Sequence, residues 1–175
     1  MKKSNEQRQL KDFLSLSLRR CMHSVDARSG SIFLVDKKRH DLVLAVAENS
    51  RGVTLDGIRA KLGEGVCGQV ARKRTPLLVE DIEKSPFQHQ PDFDPPYISR
   101  SFLSVPLEFS GDLLGVVNIT DRLSGAAFTD VHLQNLITIA KYLGIAIHSL
   151  RHYVHDQDTQ RRDLEKKVAS LTREV

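Results

Sequence analysis

The sequence predicts an α+β domain: a central antiparallel sheet of five to six strands, flanked by helices from the N- and C-terminal parts of the chain. Apolar residues recur every three to four positions in residues 5–25 and again from residue 129 onward, which is the helical period. Between these segments, short β-rich runs come in pairs across tight turns, which is typical of antiparallel hairpins. The pattern divides the chain into an N-terminal helix (1–25), a globular domain (26–152) and a helical extension (153–175).

Composition limits the class of protein. The 175 residues, of which 40% are hydrophobic, supply one core. No apolar run approaches the roughly 20 residues that span a bilayer, and no apolar stretch follows the basic start, so we expect neither a membrane partner nor a signal peptide. The two cysteines have no metal-type spacing and fit a reducing cytoplasm. The excess of four positive charges is scattered, so nucleic acid is not expected as a partner.

The first helix and a hairpin open the globular part. Residues 5–25 present one apolar face, and Ser29-Gly30 ends this region. Two β-rich runs follow, separated by a charged tip at 36–41, and residues 57–62 give a third strand. The two runs cover residues 32–35 and 42–47.

A compact turn–helix–strand unit comes next. Three glycines in Gly63–Gly68 fix a tight turn, from which a short amphipathic helix, 66–74, begins at once. Pro76 ends the helix, and residues 77–79 form a three-residue apolar strand.

Residues 83–100 differ from the rest of the chain. They hold four of the six prolines and three of the ten aromatic residues. A loop this long and this apolar is predicted to fold back over the domain as a lid.

A second hairpin follows, with strands 101–108 and 112–120. On the return strand both faces are apolar, so we expect the strands to be central and covered on each side. The expected faces are Leu113, Gly115, Val117 and Ile119 on one side and Leu114, Val116 and Asn118 on the other.

The last segment predicts one long helix, with Thr129 as its N-cap. A single heptad frame runs from Leu133 to Val175 and favours a left-handed coiled coil, so we expect a homodimer through the Leu133–Val175 helix. Gln157 and Arg161 are the polar core positions and predict a weak point at which two registers have similar energy. The apolar core positions are Leu133, Leu136, Ala140, Leu143, Ile147, Leu150, Val154, Leu164, Val168, Leu171 and Val175.

Three stretches in order, within residues 20–152, resemble a GAF domain, the small-molecule sensing module of bacterial and eukaryotic signalling proteins. The first stretch is SGSIFLVD (29–36). The second is GEGVCGQVA (63–71) with TPLLVED (75–81). The third combines SFLSVPL (101–107), LGVVN (114–118) and FTD (128–130).

The resemblance implies a sheet of five or six antiparallel strands, with the ligand pocket between the sheet and the layer formed by residues 80–100. It also implies helices that join an output module or a partner signalling protein, often as parallel dimers. We therefore expect a non-enzymatic sensory domain for an unknown small molecule. A scaffold that only dimerises is the alternative.

Seven side chains in or near the 83–100 loop are predicted to line the pocket. Aromatic rings would give stacking and burial, and Arg100 could pair with an anionic ligand group. The alternative is that the aromatic residues only anchor the loop. The predicted ligand-binding residues are Phe87, His89, Phe93, Tyr97, Arg100, Ser101 and Asn118.

Cys67, in the glycine-rich turn, is the redox candidate, because a helix N-terminus can lower the pKa of a thiol. Its segment is similar to that around one cysteine of the free methionine sulfoxide reductases, which are GAF enzymes. That chemistry needs a second, resolving thiol, yet residues 80–100 hold none, and Cys21 lies on the apolar face of the first helix. Cys67 is therefore expected to pack, with redox sensing and reductase activity as open alternatives.

Cofactor signals are weak. GAF domains that bind cyclic nucleotides carry Asn-Lys followed by Phe-x-x-x-Asp-Glu, and this chain keeps only Asn118 and Phe128 of that pattern. A bilin would need a cysteine within residues 80–120, so no bilin is expected. No metal is expected either, since the histidines read as a solvated helix face and as polar loop lining. The histidines in question are His148, His152 and His155 on the helix, and His89 near Asp92 and Asp94 in the loop.

Overall fold

A computed structural model describes residues 2–48, 57–87 and 100–171 of the chain. The predicted pocket residues His89, Phe93 and Tyr97 lie outside this part, as do the side chains of residues 2–7, 154–158, 161–162 and 164–171. The elements are α1 (Lys2–Ser24), β1 (Ala27–Asp36), β2 (Asp41–Glu48), β3 (Arg59–Lys61), α2 (Gly65–Lys73), β4 (Leu77–Val79), a 3₁₀ turn (Ile82–Lys84), β5 (Phe102–Phe109), β6 (Asp112–Arg122) and α3 (Asp130–Leu171).

The predicted α+β architecture is confirmed. The strands form one six-stranded sheet in the order β3-β2-β1-β6-β5-β4, and every neighbouring pair is antiparallel. Both predicted hairpins are present. Ser110 and Gly111 connect β5 to β6 with φ angles of 51° and 84°, and two left-handed residues in a two-residue loop are the signature of a type I′ turn.

The main core lies between the sheet and the two long helices, which cover the same face. Leu14 and Leu18 of α1 pack with Leu136 and Ile147 of α3 and with the inward residues of β1, β5 and β6. Burial of this set removes a large apolar area from water, which is the dominant favourable term in folding. We call this side of the sheet the helix face.

Strand β1 begins earlier than predicted and runs through Gly30 instead of starting after it. A Cβ at Gly30 would lie 2.9 Å from Cδ1 of Ile119 and 3.0 Å from Cδ1 of Leu18. The glycine therefore allows α1 to approach the sheet closely, and it does not mark the end of an element. Ser29, expected in the break, is a buried strand residue.

Helix α2 covers the opposite side of the sheet, which we call the α2 face. Val70 and Ala71 pack against Leu42 of β2 and Val116 of β6. The prediction that the central strands are covered on both sides is confirmed.

The predicted faces of β6 are wrong at its first two apolar residues. The pairing of β5 with β6 shifts register between Leu107 and Glu108. Because one residue of offset reverses the side-chain alternation, Leu114 packs in the helix-face core and Leu113 packs on the α2 face.

The heptad seam of α3 packs against this chain's own sheet over its first half. Leu136, Ala140, Leu143 and Ile147 are all buried in the helix-face core, so these positions cannot face a partner helix. The helical backbone continues to Leu171 as predicted, and the homodimer itself stays a prediction.

The start of α3 is capped by hydrogen bonding between Thr129 and the imidazole of His132. Nδ1 of His132 accepts a hydrogen bond from the backbone N–H of Thr129 at 3.0 Å and lies 2.8 Å from its hydroxyl oxygen. This is a capping-box arrangement with an imidazole where a glutamate usually stands. Burial and the nearby Arg122 guanidinium lower the pKa of His132 from its ordinary value, which favours the neutral form that can accept this bond.

The tip of the β1–β2 hairpin is held by an ionic cluster. Arg59 donates to Asp41 at 2.5 and 2.7 Å and to Asp36 at 2.6 Å. These charge-assisted bonds lower the pKa values of both carboxyl groups below their ordinary value. The cluster ties β3 to the hairpin.

Within the described part of the chain, no helix is both long enough and apolar enough to cross a membrane.

Candidate ligand-binding site

The glycine-rich turn places α2 against the sheet edge. Gly63 and Gly65 have φ angles of 90° and 63°, which only glycine adopts readily. A Cβ at Gly68 would lie 2.0 Å from the carbonyl oxygen of Lys61, so only glycine lets α2 pack this closely against the backbone of β3. The carbonyl of Gly68 also accepts a hydrogen bond from the N–H of Gly63 at 2.7 Å. This segment is therefore built for close backbone contact.

A row of polar side chains crosses the centre of the otherwise apolar α2 face. Ser31 of β1, Asn118 of β6 and Ser104 of β5 are direct neighbours in the strand register. The Ser104 hydroxyl donates to Oδ1 of Asn118 at 2.6 Å, and Nδ2 of Asn118 donates to the Ser31 hydroxyl at 3.3 Å. Ser104 is fully buried and Asn118 is half-buried. An amide held in one orientation on an apolar face can form a hydrogen bond with a polar group of a ligand, because buried polar groups are nearly always hydrogen-bonded.

Phe87 fixes the beginning of the loop that follows β4. Its ring is buried with Val66, Val79 and Phe102, and it meets Phe102 edge-to-face at a centroid distance of 6.2 Å. Phe87 thus joins α2, β4 and β5. It has the anchoring role that was the alternative to pocket lining.

The two ends of the loop meet at Arg100. Its guanidinium pairs with Glu83 at 2.8 Å, and its carbonyl accepts from the backbone N–H of Ile82 at 2.8 Å. The 3₁₀ turn before residues 88–99 and Arg100 after them are therefore in direct contact. The guanidinium of Arg100 is exposed.

Ser101 serves the fold at this point. Its buried hydroxyl donates to the carbonyl of Val79 at 2.9 Å and accepts from the N–H of Phe128 at 2.8 Å. It links β4 to the segment that leads into α3. Of the predicted pocket residues, Asn118 and Phe87 lie on the α2 side of the sheet, whereas Arg100 and Ser101 line a cavity elsewhere.

The cavity lined by Arg100 and Ser101 has a volume of about 380 Å³ and lies at the end of the sheet where β6 leads into α3. Three arginines and two carboxylates line it, and its remaining walls are small or apolar. The lining residues are Arg28, Glu80, Arg100, Ser101, Asp121, Arg122, Leu123, Gly125 and Ala127.

The two cysteines of the chain lie on opposite faces of the sheet. Cys21 is fully buried in the helix-face core, and burial raises the pKa of its thiol to about 11. Cys67 packs half-buried at the cluster on the α2 face. Since the sheet separates them, Cys21 cannot resolve an oxidised Cys67 within the folded domain.

The α3 histidines are partly packed. The ring of His148 lies 4.6 Å from Phe109 and 4.3 Å from His152, measured between centroids. His148 is therefore half-buried, not fully solvated as expected, because Phe109 covers it. The side chain of His155 lies outside the described residues. Among those that are described, no three His, Cys, Asp or Glu residues lie close enough to hold a metal ion.

Sequence patterns indicate only part of this site. Ser31 and Ser104 lie within the stretches 29–36 and 101–107 but are not among the predicted site residues, and they meet Asn118 only through the pairing of three strands. The sequence offers one indication of their position: each is a polar residue that shares a strand face with buried apolar residues. Arg28 and Arg122 likewise come together only because Ala27 pairs with Arg122 at the strand ends.

Comparison with known proteins identifies the family to which this chain belongs. The sequence profile described as GAF domain matches residues 7–148. The chain is 28% identical over 157 residues to a probable 3′,5′-cyclic phosphodiesterase of Caenorhabditis elegans, which covers 84% of this chain and 21% of that protein. The matched segment spans between 7% and 22% of the length of such curated relatives.

Solved structures share the fold. The GAF domain from a phosphoenolpyruvate-protein phosphotransferase of Coxiella burnetii is 26% identical with a TM-score of 0.69, covering 86% of this chain and 95% of that one. A free methionine-R-sulfoxide reductase from Neisseria meningitidis, solved in complex with its substrate, is 23% identical with a TM-score of 0.61, covering 84% and 89% of the two chains.

Proposed function

We propose that this chain, which belongs to the GAF domain family, acts as a non-enzymatic sensory domain of a cytoplasmic signalling protein. It binds a small molecule on the α2 face beneath residues 83–100 and passes the signal through α3 to an output module. The observation that carries the proposal is the polar row of Ser31, Asn118 and Ser104 on an otherwise apolar sheet face.

The row supplies a polar recognition point. Ser104 and Ser31 hold the Asn118 amide in one orientation, and among the described residues its second N–H makes no hydrogen bond. A half-buried amide with one N–H left over suits a ligand carbonyl, carboxylate or hydroxyl group. Phe102, two residues before Ser104 on β5, supplies an apolar wall, and Phe87, which packs against Phe102, anchors the loop.

Native mass spectrometry of the freshly purified chain tests ligand binding. We expect a stoichiometric small molecule on the wild type and its loss from Asn118→Ala. Asn135→Ala, the same change on an exposed part of α3, is the control and should keep the molecule. A wild type that carries nothing, and that gains nothing from a cell metabolite extract, would favour the dimerisation scaffold.

A second copy of the chain is the proposed partner of α3. Val131, Tyr142, Ile145 and Tyr153 are large, exposed and on one side of the helix, because their spacing keeps them within about 40° of one line at 100° per residue. This outward side lies away from the heptad seam, whose first half is buried in the helix-face core. The dimer thus uses the outward side of α3 near the domain, and not the buried seam.

Sedimentation of Ile145→Glu tests the dimer. Ile145 is 44% exposed, and Ile58, at 40%, offers a matched exposed isoleucine away from α3. We expect a dimer for the wild type and for Ile58→Glu, and a monomer for Ile145→Glu. A dimer that survives Ile145→Glu would place the interface elsewhere.

Reductase activity is the second candidate, because a reductase shares this fold. The separation of Cys21 and Cys67 by the sheet argues against it in a single domain, since Cys21 is the other cysteine of the chain and cannot reach a sulfenic acid formed on Cys67 from the opposite face. Turnover of free methionine sulfoxide, with a thiol reductant and with Cys67→Ser as the control, decides the matter. Turnover that needs Cys67 would make the chain an enzyme.

A further inference from the structure

The cavity at the end of β6 is separate from the polar row and has its own chemistry. We propose that it is a second binding site, for a small molecule that carries an oxyanion, either a phosphate or a carboxylate group. Its volume of about 380 Å³ falls within the range of small-molecule sites.

The arginines come from three separate segments of the chain. Arg28 lies in β1, Arg100 directly before β5, and Arg122 at the end of β6, and all three line the cavity. Guanidinium groups match the planar geometry of carboxylate and phosphate oxygens and bind them through paired hydrogen bonds. Three such groups around one cavity form the main recognition element for an oxyanion.

Arg122 is held in place while one of its donors is unused. Its terminal N–H donates to the carbonyl of Ala127 at 3.0 Å, which fixes the guanidinium in the β6–α3 connection. Its Nε is buried and, among the described residues, has no hydrogen-bond partner. A buried donor on a charged group is costly to leave unpaired, and an oxyanion in the cavity would satisfy it.

The acidic groups nearby bring the cavity close to neutrality before any ligand binds. Glu80 and Asp121 also line the cavity, and Glu83 pairs with Arg100 from outside it. Three guanidinium groups therefore face three carboxylates, so recognition of an oxyanion rests on the hydrogen-bonding geometry of the guanidinium groups and not on net charge. The carboxylates would repel an over-large polyanion and restrict the site to small ligands.

The backbone around the cavity joins both long helices. The N–H of Leu123, in the β6–α3 connection, donates to the carbonyl of Asp26, in the α1–β1 turn, at 2.6 Å. Arg28 follows that turn and Arg122 precedes that connection. An anion that bridges the two arginines would therefore strengthen the junction from which α1 and α3 both leave.

Thermal unfolding and calorimetric titration of the 175-residue chain at constant ionic strength test the site. Pyrophosphate and citrate are the probes, and the one that binds assigns the group as phosphate or carboxylate. We expect a raised Tm, and at least about a tenfold loss of affinity in Arg28→Met, because charge-assisted hydrogen bonds to the anion disappear. Arg122→Lys keeps the charge but loses the fork and should weaken binding as well.

Arg39→Met is the control, because Arg39 is an exposed arginine at the β1–β2 tip and its loss changes the net charge equally. It should leave the affinity unchanged, and so should Asn118→Ala, which separates this site from the polar row. Failure of both probes to bind at millimolar concentration would overturn the proposal. An equal loss in Arg28→Met and Arg39→Met would also overturn it, since it would show only general charge attraction.

Discussion

Ile147 and Ile145 give the sharpest test of how α3 is used. Both are isoleucines on one helix, two residues apart, but Ile147 is 0% exposed in the helix-face core whereas Ile145 is 44% exposed. Truncation of a fully buried isoleucine to alanine costs about 2–5 kcal/mol, from lost transfer energy and the cavity left behind. Truncation at a half-exposed position costs less than about 1 kcal/mol.

These values give a measurable difference. A chain of this length loses about 2–4 °C of Tm per kcal/mol, so Ile147→Ala should lower the Tm by about 4–20 °C and Ile145→Ala by no more than about 4 °C. Urea unfolding followed by far-UV circular dichroism gives the same free energies independently. The slope m should stay unchanged if both variants share the native fold.

Protein concentration separates core from interface. If Ile147 packs inside its own domain, the loss caused by Ile147→Ala is the same at low and high protein concentration. If Ile147 instead held a coiled coil, the loss would vary with concentration, as it does for any stabilisation by a second subunit. A concentration-dependent loss at Ile147, or equal losses at both isoleucines, would refute the assignment of the heptad seam to the domain core.

Three further predictions concern the turn, the helix cap and the hairpin tip. Gly68→Ala should cost at least about 1–3 kcal/mol in urea unfolding, because the added Cβ overlaps a backbone carbonyl 2.0 Å away. Because the pKa of His132 is lowered in the folded chain, the unfolded chain binds a proton on this imidazole at a higher pH than the folded chain does. The stability that neutral His132 contributes is therefore present above the ordinary pKa of 6.5 and is lost as the pH falls below it. In His132→Gln, whose amide oxygen can accept the Thr129 N–H at any pH, the urea midpoint should lose this pH dependence. Arg59 holds the pKa values of its two aspartate partners below 3.8, so their NMR titration midpoints should rise in Arg59→Met, and a midpoint that does not move would show that the ion pairs do not form in solution.

The elements of the fold can be predicted because their signals are local. The helical period, the hairpin turns and the glycine-rich segment each lie within a dozen residues, and each is present in the structure. Errors arise where a distant contact decides. Gly30 reads as a break, yet it is a place where α1 approaches β6. Leu113 and Leu114 exchange faces through a register shift set by β5.

What covers the apolar seam of α3 also depends on contacts between residues far apart in the chain. A heptad pattern states that one side of a helix must be covered, but a sheet of the same chain satisfies it as well as a second helix does. The sequence therefore predicts the helix correctly and cannot assign Leu136 or Ile147 to a core or to a dimer.

The candidate sites are the least predictable part for the same reason. Asn118 stands in a motif, but its partners Ser31 and Ser104 come from strands 87 and 14 residues away in the chain. The arginines of the cavity are similarly dispersed and join through the ends of three segments. Residues such as Arg100 and Ser101 are found next to the loop as predicted, but they serve the loop ends and the cavity and not the α2 face.

The double use of α3 bears on how a signal would leave the domain. Because Ile147 is buried in the core that α3 shares with β5 and β6, a shift of these strands would be expected to tilt the helix. From Ile147 to Leu171 the helix extends a further 24 residues, or about 36 Å at 1.5 Å per residue. A tilt of about 5° at the sheet would then displace its far end by about 3 Å, on the scale of the helix shifts that operate known switches. Under the proposed function, a ligand at the polar row or in the cavity would need only a small movement of the sheet to produce a larger one at the far end of α3.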